Sequence, residues 1–349
     1  MGGLALKNTF TRRYSREEFD SVSKELIDII EMSFDRATVP LFFYKKETFG
    51  DIDIIIDISN GEDSVFDNES IRRFIESKLT PNEIFHNGNA FSFDYKEVQV
   101  DFICVPSKDF DANYHYLAFN DLGNFIGRLA QSIGFKYGQE GLWVNYYSDA
   151  NTKTKIMVSK DYPKIFDFLG LDYQKWVEGF DTLEEIFDYA MSSSLFNPEM
   201  FQLKELNKIN RERNIKRKSY MSFLEYIKDK SAHPEYNKNL VSLTKESVIN
   251  IIREGFPEAN IDLRLAEIEY ASARKKLVNT KFNGRIIMEK YGLEGKELGE
   301  VIKNFKDYIS EIYEFGDCFG YTFDDFIIDS TIDYIYKSFE QANDIKMLE

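Results

Sequence analysis

The chain has 349 residues and a formal net charge of −16, which argues against broad, non-specific binding to nucleic acid but leaves room for a local basic groove. This length exceeds one typical core, so we expect two domains. No apolar run approaches the ~20 residues of a membrane span, the amino terminus lacks the apolar core of a signal peptide, and Cys104 and Cys318 form no disulfide framework, so we expect a soluble, cytoplasmic protein with no membrane partner.

A glycine pair and an arginine pair stand near the amino terminus. Gly2 and Gly3 allow backbone N–H groups to approach a phosphate closely, although a flexible terminus or a cloning remnant explains them equally well. Arg12 and Arg13 can face a phosphate or solvent. The glycines are therefore candidate nucleotide-binding residues.

The first predicted helix begins at a capping box. Ser15 caps the helix, Glu18 reaches back to it, and apolar residues at helical spacing continue to about Phe34. Residues 38–44 then predict a strand, in which Pro40 indicates an edge or a strand start. We expect the helix to pack on the sheet.

Two acidic residues begin the next predicted strand, directly after Gly50. Side chains alternate between the two faces of a strand, so Asp51 and Asp53 project from one face. The isoleucines between and after them project from the other face and can enter a core: Ile52, Ile54, Ile56 and Ile58.

A second strand offers a third acid. Residues 91–94 and 97–105 predict a hairpin, and its second arm carries Asp101 between apolar neighbours. Together with Asp51 and Asp53, Asp101 would make an oxygen-rich site for Mg²⁺. The alternative is a solvated strand face beside a buried one.

Two lysines precede the acid pair. Lys45 and Lys46 lie six and five residues before Asp51, where they would be near the carboxylates and could contact a triphosphate. A solvated loop is the alternative interpretation.

The remaining pattern predicts an α+β fold: a small mixed sheet with flanking helices in residues 1–170, followed by a mainly helical domain in residues 171–349. Gly123 and Gly127, four residues apart in one predicted helix, indicate close packing. In the first domain we expect helices at residues 67–78, 121–133 and 161–169, a loop at 81–89, and strands at 142–147 and 153–159. In the second we expect helices at residues 183–191, 198–206, 219–227, 245–253, 260–278, 284–291, 299–315 and 323–340.

One segment runs against the acidic balance. Residues 204–218 contain seven basic residues and two acidic ones. Such a concentration in an acidic protein predicts a phosphate-contacting groove, with Arg213, Lys216 and Arg217 as candidate RNA-binding residues. A solvated helix face is the alternative.

The segment Gly50-Asp51-Ile52-Asp53, taken with Val100-Asp101-Phe102, resembles the polymerase-beta-type nucleotidyltransferase superfamily. There a Gly-Asp-x-Asp pair and a third Asp on a neighbouring strand hold the metals. The resemblance covers roughly residues 1–160 and implies that Asp51, Asp53 and Asp101 are the catalytic, metal-binding acids.

One position departs from this pattern. The superfamily's Gly-Gly or Gly-Ser motif normally lies about a dozen residues before the acid pair, and here that place is Thr38-Val39-Pro40-Leu41. Gly2 and Gly3 at the amino terminus can take the place of this glycine motif, and Lys45 or Lys46 would then lie beside the triphosphate.

A second resemblance lies near the carboxyl end. Residues 282–288 and 292–302 are similar to the C-terminal helices of bacterial-type CCA-adding enzymes and poly(A) polymerases, in which a glycine-led helix meets the RNA backbone. A helix C-cap followed by a tight turn explains Gly292, Gly295 and Gly299 as well. The chain also looks like nucleotidyltransferase-like proteins of large phages, which would act in the host cytoplasm.

These resemblances imply a template-independent nucleotidyltransferase. It would transfer NMP from an NTP, with two Mg²⁺ ions (or Mn²⁺ in their place), to a hydroxyl of an acceptor, most simply the 3′ end of a tRNA-like RNA in CCA-adding or poly(A)-like chemistry. The alternatives are a protein or small-molecule hydroxyl as acceptor, or an inactive protein that binds nucleotides or a partner.

Overall fold

The computed structural model describes residues 5–60, 64–148, 153–237, 243–281, 283–292, 294–296, 298–299 and 302–303. The described residues divide into two compact units, one from Met1–Tyr146 and Lys155–Ile261, the other from Tyr147–Thr154 and Asp262–Glu349. The first unit therefore includes residues on both sides of position 170. The predicted helix at 323–340 and most of that at 299–315 lie outside the described residues.

The α+β prediction is confirmed. The strands are β1 (Tyr14–Ser15), β2 (Ala37–Thr38), β3 (Thr48–Phe49), β4 (Asp51–Asp57), β5 (Ile84–Asn87), β6 (Ala90–Tyr95), β7 (Val98–Val105), β8 (Lys136–Gly138), β9 (Gly141–Tyr147) and β10 (Lys153–Ser159). The α-helices are α1 (Arg16–Ile30), α2 (Asn68–Leu79), α3 (Ser107–Leu117), α4 (Leu122–Ser132), α5 (Tyr162–Phe168), α6 (Tyr173–Glu178), α7 (Leu183–Met191), α8 (Lys208–Ile215), α9 (Lys218–Tyr226), α10 (Lys245–Gly255), α11 (Ile261–Lys281) and α12 (Gly284–Tyr291). No helix among these described residues is both long and apolar enough to span a membrane.

The central sheet has five strands in the order β2-β4-β7-β6-β5. β4 and β7 are parallel, whereas the other neighbours are antiparallel, so the sheet is mixed as predicted. The chain between β4 and β7 contains α2 and two further strands, because parallel strands need a long crossover connection. The β6–β7 hairpin turns at Lys96 and Glu97, whose φ angles of 46° and 65° suit a tight two-residue turn.

One face of this sheet carries the larger core. Ile52, Ile54 and Ile56 of β4 are fully buried there together with apolar residues of α1 and α2, such as Leu26 and Ile75. The alternation of β4 therefore places its isoleucines as predicted.

The other face is divided along the length of β4. Its far end packs against α3, where Ile55, Ile103 and Val105 form a small core with Phe110. Nearer the beginning of β4, the same face carries acidic side chains instead. The helix therefore covers the apolar part of the face and leaves the acidic part to a cavity.

The capping box of α1 is confirmed. The Glu18 backbone N–H donates to the Ser15 hydroxyl (3.3 Å), and the Ser15 N–H donates to the Glu18 carboxylate (2.9 Å). The helix ends at Ile30, four residues earlier than predicted.

The strand predicted at 38–44 is wrong beyond Thr38, where β2 ends. Pro40 has no N–H to donate to a ladder. The later residues bond elsewhere: the N–H of Tyr44 donates to the carbonyl of Phe180 (2.8 Å), and that of Lys45 to the carbonyl of Asp181 (2.9 Å).

Several further elements differ from expectation. The predicted loop at 81–89 contains β5, which pairs with β6. No helix was predicted at α3, which begins after Pro106 without a side-chain cap and so lacks the usual start signal. The helix expected at 198–206 is a pair of 3-10 turns, Pro198–Phe201 and Leu203–Glu205, and the side chain of Asn197 caps the first of them.

Candidate metal centre and its cavity

Three carboxylates converge on one face of the central sheet. Strand alternation places Asp51 and Asp53 on this face of β4, and parallel pairing sets Asp53 directly beside Asp101 of β7. One carboxylate oxygen from each residue lies within 4.8 Å of the other two. The structure thus brings together the three acids that the sequence singled out.

Burial and mutual repulsion make these carboxylates costly to ionise. Desolvation, followed by the charges of Asp51 and Asp101, raises the pKa of Asp53 well above its usual range. Desolvation is also the main cause that raises the pKa of Asp101 to about 6, with a further contribution from Asp51. A bound cation would relieve this repulsion, and carboxylate oxygens are the ligands that hard divalent cations prefer. The three side chains can therefore hold a metal ion.

Asp101 is oriented by hydrogen bonds from its own strand. The side-chain amide of Gln99 donates to both Asp101 oxygens, at 2.9 and 3.0 Å. Ser92 is the register partner of Asp101 on the neighbouring strand β6. Gln99 is almost fully buried and also accepts a hydrogen bond from the N–H of Ala5 (2.9 Å), which fixes the amino-terminal segment beside the site.

Asp51 and Asp53 line a cavity of about 750 Å³, and Asp101 lies beside them. Three other segments form much of the cavity wall: residues 39–50, the α3–α4 connection and the beginning of α9. Basic side chains also line the cavity: Arg13, Lys45, Lys46, Arg217 and Lys218. A cavity of this size, with carboxylates and cations in its walls, can accommodate an anionic ligand together with a metal.

The two predicted lysines have different surroundings. The ammonium group of Lys45 forms an exposed salt bridge with Asp181 (2.8 Å). Lys46 lies over the ring of Phe49, with 4.7 Å from its Nζ to the ring centroid. Desolvation lowers the pKa of Lys46, while the charges of Asp51 and Asp53 oppose that shift. Lys46 is therefore the lysine whose charge interacts with those of Asp51 and Asp53.

Arg217 reaches the same cavity from the basic segment. It forms a salt bridge with Asp121, which is only 5% exposed and also accepts a hydrogen bond from the Ser219 hydroxyl. Arg217 lines the same cavity as Asp51 and Asp53. The structure thus places Arg217 in the cavity rather than only on a helix surface.

The loop that carries Asp121 is strained. Phe119 and Asn120 both have left-handed backbone conformations, with φ angles of 58° and 62°. For phenylalanine this costs on the order of 1–3 kcal/mol. The N–H of Phe119 donates to the carbonyl of Leu41 (2.6 Å), and its ring packs on Phe180. These contacts hold Asp121 in place against the cavity wall.

Arg13 is a further cavity residue with a defined position. Its guanidinium group donates to the Thr48 hydroxyl (2.9 and 3.2 Å) and to the Thr48 carbonyl (2.9 Å). Its neighbour Arg12 instead forms salt bridges with Glu18 and Glu97. Arg13, rather than Arg12, therefore lines the cavity that holds Asp51 and Asp53.

The other predicted site residues lie elsewhere. Arg213 and Lys216 are exposed at the end of α8 and do not line the cavity. Gly2 and Gly3 lie outside the described residues. In the place of the superfamily's glycine motif, Val39, Pro40 and Leu41 line the cavity with apolar side chains.

Sequence reasoning identified neither Gln99 nor Asp121 as a site residue. Gln99 lies two residues before Asp101 in a strand of valines, so its place on the acid face was a readable signal. Asp121 stands at the N-cap position of α4, but its side chain makes no capping hydrogen bond and pairs with Arg217 instead. No local signal could have identified that partner, which is almost a hundred residues away.

No protein-family model matches the chain, and a search of curated proteins found no significantly similar sequence. The proposal for function therefore depends on the geometry and chemistry of the site.

Proposed function

We propose that the protein is a nucleotidyltransferase that transfers NMP from an NTP to an acceptor hydroxyl. The observation that carries the proposal is the convergence of Asp51, Asp53 and Asp101, with oxygens within 4.8 Å of one another, beside a cavity that Asp51, Asp53 and several cations line. A nucleoside triphosphate bound to a metal ion complements both kinds of side chain, because the metal ion attracts the carboxylates and the phosphates attract the basic side chains. The resemblance of these three acids to those of the polymerase-beta-type superfamily supports the same reaction.

The three aspartates would hold two Mg²⁺ ions, with Mn²⁺ as a substitute. When bound, such ions lower the pKa of an attacking hydroxyl and neutralise the charge that develops on pyrophosphate. Gln99 keeps Asp101 oriented toward Asp53, and the strand pairing of β4 with β7 fixes the separation of these two acids. The protein's own contribution is therefore positioning and charge compensation, as is usual in phosphoryl-type transfer.

An RNA 3′ end is the acceptor that we favour. The basic segment continues from the exposed Arg213 and Lys216 to Arg217, which lines the cavity. This path of positive charge leads from the surface to the acids. A phosphate-rich strand would be attracted along it despite the net charge of −16.

Two other functions have some support. The acidic net charge suits a protein or small-molecule hydroxyl as acceptor. A nucleotide-binding protein without activity would also use the cavity. The desolvated acids argue against that last function, because three converging carboxylates, of which Asp53 and Asp101 have raised pKa values, are costly to retain without a cation.

The reaction can be tested by label transfer. The protein is incubated with each α-labelled NTP, Mg²⁺ and total cellular RNA, and the labelled macromolecule is then identified. We expect transfer by the wild type and a loss of at least about a hundredfold with Asp53→Asn, because a metal ligand is removed. Asp20→Asn, an exposed substitution on α1, is the matched control and should transfer normally. Equal transfer by Asp53→Asn would refute the proposal.

The acceptor can be tested separately by RNA binding at several salt concentrations. The double variant Arg213→Gln/Lys216→Gln should weaken binding of a tRNA-like RNA. It should also reduce the slope of the salt dependence by about one for each phosphate that the variant no longer neutralises. Lys24→Gln, which removes one exposed positive charge on α1, is the control and should bind like the wild type. If the wild type shows no RNA binding at low salt, a protein or small-molecule acceptor is favoured.

A further inference from the structure

The polar part of the sheet face extends beyond the three acids. Residues that are register partners on neighbouring strands share a face of the sheet. The pairing of β4, β7 and β6 therefore arranges six polar side chains in two adjacent rows. The first row is Asp51, Gln99 and Asp94, and the second is Asp53, Asp101 and Ser92. The polar face thus continues from the cavity-lining strand β4 across β7 to β6.

Gln99 links this polar face to the amino-terminal segment, residues 5–13. Its amide nitrogen donates to both oxygens of Asp101 (2.9 and 3.0 Å), and its carbonyl oxygen accepts a hydrogen bond from the N–H of Ala5 (2.9 Å). An amide side chain has one end that donates and one end that accepts, and half a turn exchanges them. A backbone N–H can only donate, so Ala5 favours the orientation in which the NH2 group of Gln99 faces the carboxylate. The side chain of Gln99 is 2% exposed, so water cannot readily replace this hydrogen bond.

Glu83 anchors the same segment two residues further along. Its carboxylate accepts hydrogen bonds from the N–H groups of Lys7 (3.1 Å) and Asn8 (2.8 Å) and from the side-chain amide of Asn8 (3.3 Å). The backbone donors lower the pKa of Glu83, because they favour its ionised form. The N–H of Glu83 donates in turn to buried Asp94 (2.8 Å), the register partner of Gln99. The segment is therefore held at two neighbouring positions of the polar face, directly at Gln99 and through Glu83 at Asp94.

The other end of the amino-terminal segment reaches the cavity. The N–H of Arg12 donates to the carbonyl of Glu97 in the β6–β7 turn (2.7 Å). Arg13 donates to Thr48 and lines the cavity. The segment thus contacts the support of Asp101 at one end and the cavity wall at the other.

We propose that the amino-terminal segment positions Asp101 for metal binding. The N–H of Ala5 orients the amide of Gln99, and that amide holds both oxygens of Asp101. Ala5 and Gln99 are positioning residues, since they act through Asp101 and not as ligands. Hydrogen bonds behind a ligating carboxylate raise metal affinity because they fix its orientation before the ion arrives. The inference rests on the metal site of the proposed function, but it does not depend on the nucleotide or the acceptor.

The Ala5 hydrogen bond can be removed by one substitution. Ala5→Pro deletes the N–H group, whereas Ala5→Gly retains it and is the matched control. Mn²⁺ binding to the full chain is measured by paramagnetic resonance titration. We expect Ala5→Pro to bind Mn²⁺ about three- to tenfold more weakly, as for the loss of one neutral hydrogen bond, and Ala5→Gly to bind like the wild type.

A double variant separates positioning from a general loss of stability. In Gln99→Leu there is no amide to orient, so adding Ala5→Pro should not weaken Mn²⁺ binding further. Two substitutions that act through one contact are non-additive, whereas independent effects multiply the two losses of affinity. Urea unfolding midpoints of all variants are measured beside the titrations.

Glu83→Ala provides a second variant whose substituted side chain does not touch Gln99. It removes the anchor of Lys7 and Asn8 and should weaken Mn²⁺ binding in the wild-type background but not in Gln99→Leu. Glu31→Ala removes one exposed negative charge at the end of α1 and is the charge-matched control. If Ala5→Pro does not fold, Glu83→Ala decides the test alone.

The outcomes distinguish this inference from the proposed function. Weaker Mn²⁺ binding that disappears in the Gln99→Leu background supports the inference, even if the wild type transfers no NMP. Wild-type affinity in folded Ala5→Pro and Glu83→Ala overturns it, while NMP transfer by the wild type would still stand. The same loss of affinity with and without Gln99 also overturns it, because the segment would then act by another route. A wild type that binds no Mn²⁺ contradicts both this inference and the metal site.

Discussion

Asp53 and Asp101 are register partners on the parallel strands β4 and β7, although about fifty residues separate them in the sequence. Parallel partners share a face of the sheet, so their carboxylates are held side by side in a partly buried environment. That arrangement is unfavourable for two negative charges unless a proton or a metal ion lies between them. The electrostatic cost of ionising both carboxylates should therefore affect the stability of the protein and its affinity for metal ions.

Replacing Asp101 should stabilise the metal-free protein at alkaline pH. The pKa of Asp101 is about 6 in the folded state and about 4 in an unfolded chain. The folded state therefore holds a proton that the unfolded state has lost between those pH values, and stability falls as the pH rises through about 6. We expect Asp101→Asn to increase the free energy of unfolding by on the order of 1–3 kcal/mol at pH 8.

Urea unfolding with a chelator at pH 4 and pH 8 measures this effect. Near pH 4 the folded state keeps the proton and the unfolded state, with a pKa of about 4, is about half protonated, so the difference in stability between the variant and the wild type should be much smaller than at pH 8. A variant that is less stable than the wild type at pH 8 would contradict the raised pKa.

A divalent cation should stabilise the fold through the acids. An ion that binds only the native state stabilises it by about 2.7 kcal/mol at a hundred times its Kd. We expect Mn²⁺ or Mg²⁺ to raise the melting temperature of the wild type and of Asp20→Asn, but not that of Asp53→Asn. Protons compete for the same oxygens, so the shift should diminish as the pH falls below about 6. An equal rise for Asp53→Asn at matched ionic strength would place the ion elsewhere.

Gln99 should be important for metal affinity without being a ligand. Its amide holds both oxygens of Asp101, and partners of this kind typically contribute ten- to a hundredfold to metal affinity. We therefore expect Gln99→Leu, which has a similar volume, to weaken Mn²⁺ binding by about that factor in a paramagnetic resonance titration. Gln202→Ala changes a half-buried glutamine far from the acids in sequence and should leave the titration unchanged. Wild-type affinity in Gln99→Leu would show that the strand alone orients Asp101.

The two glycines of α4 should differ sharply in their tolerance of alanine. A Cβ at Gly123 would lie 2.0 Å from the carbonyl oxygen of Tyr116, whereas at Gly127 the nearest contact is the carbonyl oxygen of Tyr137 at 3.3 Å. Gly123→Ala should therefore lower the free energy of unfolding by about 3 kcal/mol or more, because backbone must move. Gly127→Ala should remain within about 1 kcal/mol of the wild type, since better helix propensity offsets the tight contact. Chemical denaturation of both variants checks the pair, and equal losses would contradict the observed packing.

Much of the local structure near the site could be predicted from the sequence. The capping box of Ser15 and Glu18 identified the start of α1, because both bonds form within four residues. The alternation in β4 placed Asp51 and Asp53 on one face. The strand predicted at 38–44 failed because burial of an apolar segment in a cavity wall looks the same in sequence as burial in a sheet. The helix α3 was missed because Pro106 provides no side-chain cap.

The sequence by itself determined which residues are acidic, which face of each strand they occupy and where the hairpin turns, since these properties depend on neighbours a few residues apart. Only the tertiary structure decided that β4 lies parallel to β7, so that Asp101 meets Asp53. It also decided that Arg217 pairs with Asp121 and lines the cavity beside the acids, and that the charges of Asp51 and Asp53 act on Lys46, whereas Lys45 pairs with Asp181. These relationships join distant segments, and they are set by the packing of helices on the two faces of the sheet, which no short stretch of sequence encodes.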